Sequence, residues 1–270
     1  MILRGSFSSE AMRTSVNIQV YFSNIGAEPS ASMPPYKIVY LLHGLHGNQE
    51  SWINNSMLMH YGKEYNAVFV MPDASRSFYC DLKYGRKYYS FVADELPEIC
   101  RKIFNISARR EDTAVIGYSM GGYGALKLAL SKPEQYSFCG AISPACLYFK
   151  TILDKLRADS AAYIKTGAEA REIVTDLYTI YGEDLIYNPE YDVLELAKNF
   201  PADTPRPKIY ATCGTEDDLL NENHKFRDEM KNTSFDYTYE EWSGGHDWYF
   251  FNEGLKKTLK VWHNGQGETK

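Results

Sequence analysis

The sequence of 270 residues contains no long hydrophobic run. No stretch approaches the ~20 apolar residues that a membrane-spanning helix needs, so we expect no membrane segment. The N-terminal stretch MILRGSFSSEAMRTS is polar and lacks the apolar core of about 7–15 residues that a secretory signal carries. We therefore expect a cytoplasmic protein that does not act at a membrane.

Clusters of like charge are also missing. The formal net charge is −6, and the sequence has no basic stripe and no block of five like charges. Because phosphate binding needs clustered lysine and arginine, this argues against nucleic acid as a partner. The five cysteines form neither a CxxC pair nor an even set, and most lie in apolar runs. That pattern is typical of small buried side chains.

The sequence does contain a series of short, continuous apolar runs. Such runs are typical of strands that are covered on both faces of a parallel sheet. An alternating run at 16–22 predicts an edge strand with one buried face. The continuous runs cover residues 38–42, 67–71, 113–116, 137–142 and 208–213, and a more alternating run follows at 235–242.

Helical periodicity separates these runs. The predicted helices cover residues 88–104, 120–130, 222–231 and 248–262. Strand–helix alternation of this kind predicts an α/β fold with a doubly wound, mostly parallel sheet. We expect residues 1–270 to form a single domain, in which the helix-rich and charged segment 147–207 is an insertion that covers the strand ends as a cap.

A nucleophile motif follows one of the predicted strands. Residues 117–121, GYSMG, fit the pattern G-x-S-x-G. The bare pattern is weak, because chance matches are common in a chain with 19 glycines. The alternative is a glycine-rich helix start that binds a phosphate. Here an apolar strand precedes the motif and a helix of small residues follows it, which is the context of a nucleophile elbow. We therefore predict Ser119 as the nucleophile.

A serine hydroxyl needs a base at neutral pH, and the chain has six histidines. His43 and His46 precede the serine, whereas the α/β-hydrolase order is Ser…Asp/Glu…His. Three others lie in helical segments or near the C-terminal tail (His60, His224 and His263). His246 remains, in a glycine-containing loop between the last predicted strand and the last predicted helix. We predict that it is the general base.

The orienting acid should follow the strand after the insertion. Residues 208–213 lead into a loop that contains Glu216, Asp217 and Asp218, so the residues alone leave a choice. Asp217 is the preferred candidate, Asp218 is the main alternative and Glu216 is third. The role of the acid is to hold the imidazole tautomer and to stabilise the imidazolium.

The oxyanion of a tetrahedral intermediate needs backbone donors. One should be the N–H of Met120, directly after the nucleophile, and the other should come from the loop after the first central strand, where Leu45 is the preferred donor. The same loop carries His43 and His46. Two histidines without a third ligand nearby are weak evidence, so we predict no metal site.

Together these segments resemble the esterase-D-like branch of the α/β-hydrolases, and within it the bacterial tributyrin-esterase-like group. The matching pieces are YLLHGLHGNQESW (40–52), VMPDASRSFYCD (70–81), GYSMGGYGALKLAL (117–130), CGTEDDLL (213–220) and SGGHDWYF (243–250). The resemblance implies Asp217 as the acid and places Trp52, Phe78 and Tyr79 near the substrate. Two departures stand out: Asp218 occupies a position that is often aromatic, and the 43–52 loop lacks the cysteine of glutathione-thioester hydrolases.

We therefore expect a serine esterase that hydrolyses short-chain carboxylic esters, of acetyl, butyryl or feruloyl type, through an acyl-enzyme on Ser119. Carbohydrate esters are included by analogy with the family, which also contains acetyl and feruloyl esterases. The alternatives are a thioesterase such as an S-formylglutathione hydrolase, an acyltransferase on the same fold, and, last, a non-catalytic binding module. We expect a small-molecule ester as the partner, no cofactor, and leave homo-oligomer formation open.

Overall fold

The computed structural model describes residues 1–23, 35–165 and 167–265, and eight strands of these residues form one sheet. The strands are β1 (Ile2–Ser9), β2 (Thr14–Phe22), β3 (Lys37–Leu42), β4 (Ala67–Pro72), β5 (Thr113–Tyr118), β6 (Phe138–Ile142), β7 (Lys208–Gly214) and β8 (Tyr237–Trp242). Their spatial order is β1-β2-β4-β3-β5-β6-β7-β8. β2 pairs antiparallel with β1 and β4, and all other neighbours pair in parallel.

Helices connect the strands and cover both faces of the sheet. They are α1 (Ser51–Asn55), α2 (Leu58–Tyr61), α3 (Tyr88–Ser90), α4 (Leu96–Ile103), α5 (Met120–Ser131), α6 (Phe149–Ile164), α7 (Ala168–Tyr181), α8 (Val193–Lys198), α9 (Leu220–Met230) and α10 (Trp248–Asn264). A π-helical turn, Phe91–Glu95, joins α3 to α4, so the helix predicted at 88–104 is one continuous helical segment.

The continuous apolar runs are strands that are buried on both faces. In β3, Tyr40 and Leu42 pack into the layer that contains α4, α5 and α9, whereas Val39 and Leu41 pack towards α1, α2 and α10. Each central strand therefore needs apolar side chains at successive positions. This confirms the doubly wound, mostly parallel α/β sheet that the sequence predicts.

The prediction of an edge strand at 16–22 is wrong. β2 has neighbours on both sides, and the edge is formed by β1. The burial pattern explains the error, because β1 is largely exposed and contains Gly5, so it carries little hydrophobic periodicity. No described helix combines the length and the apolar character needed to cross a lipid bilayer.

The segment 147–207 lies between β6 and β7 and contains α6, α7 and α8. α6 packs against α7, whereas α8 packs against α5 and α9. The segment is therefore divided into two parts, of which only the α6–α7 part lies next to the cavity described below. Its role as a cap, and the assignment of 1–270 as a single domain, stay predictions.

The parallel strands determine where the functional loops lie. The loops after β3, β5, β7 and β8 all leave the sheet at the carboxyl ends of parallel strands, and these ends lie at one edge. Ligands of open α/β sheets bind at this edge. The sheet thus brings together loops that are far apart in the chain.

Candidate active site

Ser119 lies on a sharp turn between β5 and α5. Its backbone has φ 54° and ψ −122°, a conformation that side-chain-bearing residues rarely adopt. The flanking glycines permit the turn, since a Cβ at Gly117 would lie 2.1 Å from the carbonyl oxygen of Gly121. A Cβ at Gly121 would lie 2.4 Å from the carbonyl oxygen of Leu42. This is the geometry of a nucleophile elbow.

The turn directs the Ser119 hydroxyl to His246. The Oγ of Ser119 lies 2.8 Å from Nε2 of His246, and Nδ1 of the same ring lies 2.8 Å from Oδ2 of Asp217. An ionised carboxylate only accepts hydrogen bonds, so Nδ1–H donates to Asp217 and Nε2 is left to accept the serine proton. The structure thus brings the three residues together in the order that a serine hydrolase requires.

Asp217 differs from its two acidic neighbours in burial. It is 5% exposed, and its carboxylate also accepts the backbone N–H of Leu219 at 2.8 Å. Burial acts to raise the pKa of the Asp217 carboxyl, but the hydrogen bonds from His246 and Leu219 outweigh it and hold the pKa below its usual value. Asp217 therefore remains an anion beside the imidazole.

The two other acids of the loop do not contact the imidazole. Asp218 is exposed and lines the cavity. Glu216 accepts the backbone N–H of Gly244 and lies 3.3 Å from the hydroxyl of Ser243. Glu216 thereby fixes the glycine-containing loop that carries His246.

The predicted oxyanion donors lie at the same cavity as Ser119. Met120 is the first residue of α5, so its N–H has no partner within the helix. Leu45 lies in a turn that is closed by a hydrogen bond from Gly47 N–H to Gly44 O. The N–H of Leu45 takes no part in that bond. Both residues line the cavity, as the prediction requires.

The cavity has a volume of about 780 Å³ and is shared between the sheet edge and the α6–α7 part of the insertion. Aromatic side chains on the sheet side form one wall: Phe78, Tyr118, Trp248 and Phe251. Apolar side chains of α6 and α7 form another: Ile152, Tyr163 and Ile173. A cavity of this size and lining accommodates a small organic ligand.

Comparison with known proteins agrees with this geometry. Residues 9–261 match the Esterase family model. An acetyl esterase of Caldicellulosiruptor saccharolyticus is 34% identical over 227 residues, which cover 83% of this chain and 82% of that protein. The chain belongs to the esterase family. It is a serine esterase, a hydrolase of carboxylic esters, as the sequence predicts.

Solved structures share the fold of this esterase. FphF, a fluorophosphonate-binding serine hydrolase of Staphylococcus aureus solved with substrate bound, has a TM-score of 0.81 at 23% identity and covers 97% of this chain and 98% of its own. S-formylglutathione hydrolase FrmB of Staphylococcus aureus has a TM-score of 0.79 at 23% identity, with the same coverage. These likenesses show the α/β-hydrolase fold.

Of the three residues expected near the substrate, only Phe78 lines the cavity of the esterase. Trp52 is fully buried behind the aromatic wall, where its Nε1–H donates to the carbonyl of Leu42 at 3.1 Å. Tyr79 is also fully buried, and its hydroxyl donates to the carbonyl of His43 at 2.9 Å. The expectation of substrate contact is therefore wrong for Trp52 and Tyr79, because neither side chain lines the cavity. The Trp52 ring instead packs edge-on against Tyr118 and Trp248 of the aromatic wall.

The two histidines of the 43–47 loop, His43 and His46, do not contact a common partner. His43 is fully buried, its Nδ1–H donates to Gly44 O, and its Nε2 accepts the N–H of Ala74. His46 is exposed and lies 3.6 Å from Glu172 of α7. Across the described ranges, no group of three or more His, Cys, Asp or Glu residues is arranged to hold a metal ion.

Sequence reasoning missed Glu222 of α9, which lines the cavity and accepts the backbone N–H of Leu147 at 2.6 Å. Burial raises the pKa of the Glu222 carboxyl, although backbone N–H groups at 146–148 oppose the shift. No motif marks this residue, and its contact spans 75 positions of the sequence. Only the folded chain brings it to the site.

The charged groups at the cavity are mostly acidic. Besides Asp217, the lining contains the carboxylates of Asp218, Glu222 and Asp247. Among the described residues that line it there is no lysine or arginine, and the remaining polar rings are the imidazoles of His46 and His246. A cavity that carries one sign of charge repels ligands of the same sign.

Proposed function

We propose that this esterase hydrolyses esters of short carboxylic acids with uncharged alcohols, through an acyl-enzyme on Ser119. The observation that carries the proposal is the pair of 2.8 Å contacts that connect Ser119, His246 and Asp217. Nucleophile, base and orienting acid within hydrogen-bond reach are the arrangement needed to activate a serine hydroxyl.

Acylation begins when the Oγ of Ser119 attacks the ester carbonyl carbon while Nε2 of His246 takes its proton. The carbonyl oxygen becomes an oxyanion, which accepts hydrogen bonds from the backbone N–H groups of Met120 and Leu45. The tetrahedral intermediate then expels the alkoxide, which receives the proton from the imidazolium. An alcohol leaves, and the acyl group remains on Ser119.

Deacylation repeats these steps with water as the nucleophile. His246 removes a proton from water as it attacks the acyl carbon, and returns the proton to the Oγ of Ser119 as the carboxylic acid leaves. Asp217 remains an anion throughout and stabilises the imidazolium in both half-reactions. Its depressed pKa is consistent with that role.

The lining supports the proposed substrate class. The apolar wall of Ile152, Tyr163 and Ile173 is suited to an acyl chain or an aryl group, and the relative with 34% identity is an acetyl esterase. The carboxylates of Asp218 and Asp247 disfavour anionic alcohols and thiols. Acetyl and butyryl esters of neutral alcohols, sugars included, fit both features.

Turnover of p-nitrophenyl acetate and butyrate by wild type and Ser119→Ala tests the mechanism. We expect the Ser119→Ala variant to lose roughly 10⁴-fold or more of kcat. Ser131→Ala, whose hydroxyl bonds the Lys127 carbonyl on the far part of α5, is the matched control and should retain wild-type turnover. Turnover by Ser119→Ala equal to that of wild type would refute the serine mechanism.

A panel of substrates that differ in the charge of the leaving group tests the specificity. We expect kcat/KM for a neutral thioester to exceed that for S-formylglutathione, whose thiol carries carboxylates. A preference for S-formylglutathione would instead identify the thioesterase alternative, and formation of a new ester in the presence of added alcohol would identify an acyltransferase.

The cellular setting is proposed from the sequence. We propose a cytoplasmic location, and a small-molecule ester as partner rather than nucleic acid or membrane; the lack of a basic stripe in the sequence supports the exclusion of nucleic acid. Fractionation with antibody detection tests the location. Light scattering tests whether the esterase forms a homo-oligomer.

A further inference from the structure

The loop after β4 contains a turn, Ser77–Cys80, with an unusual backbone. Phe78 and Tyr79 have φ values of 49° and 50°, in the left-handed region that bulky residues avoid. The turn is held from within, because Cys80 N–H donates to Ser77 O and Tyr79 N–H donates to the Ser77 hydroxyl. Such conformations persist where the surrounding structure overdetermines them, and they cluster at functional sites.

The two aromatic side chains of this turn have different surroundings. Both are almost fully buried, but Phe78 lines the catalytic cavity and Tyr79 does not. Burial raises the pKa of the Tyr79 phenol well above its ordinary value, so its hydroxyl stays protonated and acts as a donor. It donates to the carbonyl of His43 at 2.9 Å.

The acceptor of this bond is the first residue of the loop after β3, which we call the oxyanion loop because it carries Leu45. His43 is followed by Gly44 and by Leu45, whose N–H is the proposed donor from the β3 side. The imidazole of His43 is tied to the same β4 loop, since its Nε2 accepts the N–H of Ala74 at 2.9 Å. The β4 loop therefore holds the start of the oxyanion loop through both the backbone and the side chain of one residue.

The ring and the carbonyl of Tyr79 contact α5, the helix that begins with the second proposed donor, Met120. Its ring lies so close to Gly124 of α5 that a methyl group at Gly124 would come within 2.4 Å of it. One helical turn further on, the ammonium group of Lys127 donates to the Tyr79 carbonyl at 3.1 Å. Lys127 is itself 1% exposed and lies 3.8 Å from the ring centroid of Tyr191, so its position is fixed.

We infer that Tyr79 is a positioning residue that sets the distance between the two oxyanion donors, Leu45 on the β3 loop and Met120 at the start of α5. The Tyr79 hydroxyl binds the β3 loop, whereas the Tyr79 ring and carbonyl contact α5. An oxyanion hole works only when its donors are placed where charge develops. The inference rests on the proposed acyl-enzyme mechanism at Ser119.

The Tyr79→Phe variant tests this, because it removes one hydroxyl and leaves the ring against Gly124. We expect kcat for p-nitrophenyl acetate to fall about 10-fold, less than the 10²–10³-fold that losing a donor outright costs. KM should change less than about twofold, since Tyr79 does not touch substrate. The rate constant for labelling of Ser119 by a fluorophosphonate should fall by a similar factor, because phosphonylation also places negative charge on an oxygen in the hole.

The matched control is Tyr136→Phe. Tyr136 is another fully buried tyrosine, and among the described residues its hydroxyl has no hydrogen-bond partner. This variant should keep wild-type kcat, KM and labelling rate. Near-UV circular dichroism and the thermal midpoint report whether each variant is folded.

If Tyr79→Phe does not fold, Lys127→Met carries the same test, because it releases the Tyr79 carbonyl and leaves the hydroxyl. It should lower kcat with KM unchanged. The inference is overturned if folded Tyr79→Phe, or Lys127→Met in its place, has kcat within about twofold of wild type. A raised KM with unchanged kcat in that variant overturns it as well. Absence of labelling in the wild-type enzyme refutes the proposed function instead, so the two failures are distinguishable.

Discussion

The Nε2 atom of His246 lies 2.8 Å from the Oγ of Ser119, although the two residues are 127 positions apart in the sequence. The first follows β8 and the second follows β5. Both strands are parallel members of one sheet, so their carboxyl ends lie at the same edge. The contact makes Ser119 the group whose proton His246 can remove.

Asp217 and Asp218 are adjacent acids with different predicted roles. Asp217→Asn should lower kcat by about 10⁴-fold, because the amide cannot hold the required imidazole tautomer. Asp218→Asn should stay within about threefold of wild type, since this side chain is exposed and does not contact His246. Steady-state kinetics with p-nitrophenyl butyrate measures both. A larger loss in Asp218→Asn would reassign the acid.

Gly121 is tightly packed against the carboxyl end of β3. Gly121→Ala should lower the free energy of unfolding by about 1–3 kcal/mol, because the new methyl group would meet the Leu42 and His43 carbonyls. Gly5→Ala in β1 is the matched control, with no atom within 4 Å of the added carbon, and its stability should be unchanged or slightly raised. Urea unfolding compares them, and equal stabilities would contradict the close packing.

Glu222 gives the thermal stability a predicted pH dependence. Its pKa is raised, so the contribution of Glu222 to stability is present below the unfolded-state pKa and is lost as the pH rises through the folded-state value. Glu222→Gln cannot ionise and should avoid that loss. The thermal midpoint of Glu222→Gln minus that of wild type should therefore increase from about pH 4, near the unfolded pKa of glutamate, to about pH 8.

The exposed Glu98 provides the control for this experiment. It pairs with Lys102 on the surface, and that contact lowers its pKa. Glu98→Gln should therefore show no growing advantage over wild type as the pH rises. If the difference in thermal midpoint between Glu222→Gln and wild type stays constant or narrows as the pH rises, the backbone N–H hydrogen bonds outweigh burial in setting the pKa of Glu222.

Arg76 connects the β4 loop to the insertion. Its guanidinium lies 2.8 Å from Asp176 and 3.1 Å from Glu172, and between these two residues of α7 is Ile173, which lines the cavity. Arg76→Ala should raise KM several-fold for butyrate and longer esters and less for acetate, because only longer chains reach that wall.

Arg157→Ala is the control for Arg76→Ala. Arg157 pairs with Asp154 on the exposed face of α6 and does not line the cavity. Its KM values should match those of wild type from acetate to octanoate. An equal change in KM for every chain length in Arg76→Ala would mean that α7 does not contact the acyl group.

Much of the fold was predictable because buried parallel strands leave uninterrupted apolar runs, as in 38–42 and 67–71. β1 was missed for the opposite reason, since its side chains are mostly exposed. Ser119 was predictable because an elbow needs small residues on both sides, which leaves a local motif. His246 was predictable from chain order and from the glycines beside it.

Other features depend on contacts that local sequence does not encode. The residues alone left Glu216, Asp217 and Asp218 open, and the burial of Asp217 and its contact with His246 separate it from the other two. Tyr79 was expected near substrate, but its ring is buried in the core with the hydroxyl on the His43 carbonyl, whereas Phe78, with the same left-handed backbone, lines the cavity. Glu222 reaches the cavity through a contact across 75 positions.

The α/β sheet and the elbow serine were predictable because periodicity and motif spacing are local properties of the chain, and the resemblance to a known family added the esterase chemistry. Three features became known only from the folded structure: which acid faces the imidazole, which aromatic rings line the cavity and which support it from behind, and which charged groups line the cavity. Those depend on side-chain direction and burial, which are set by packing between segments far apart in the chain.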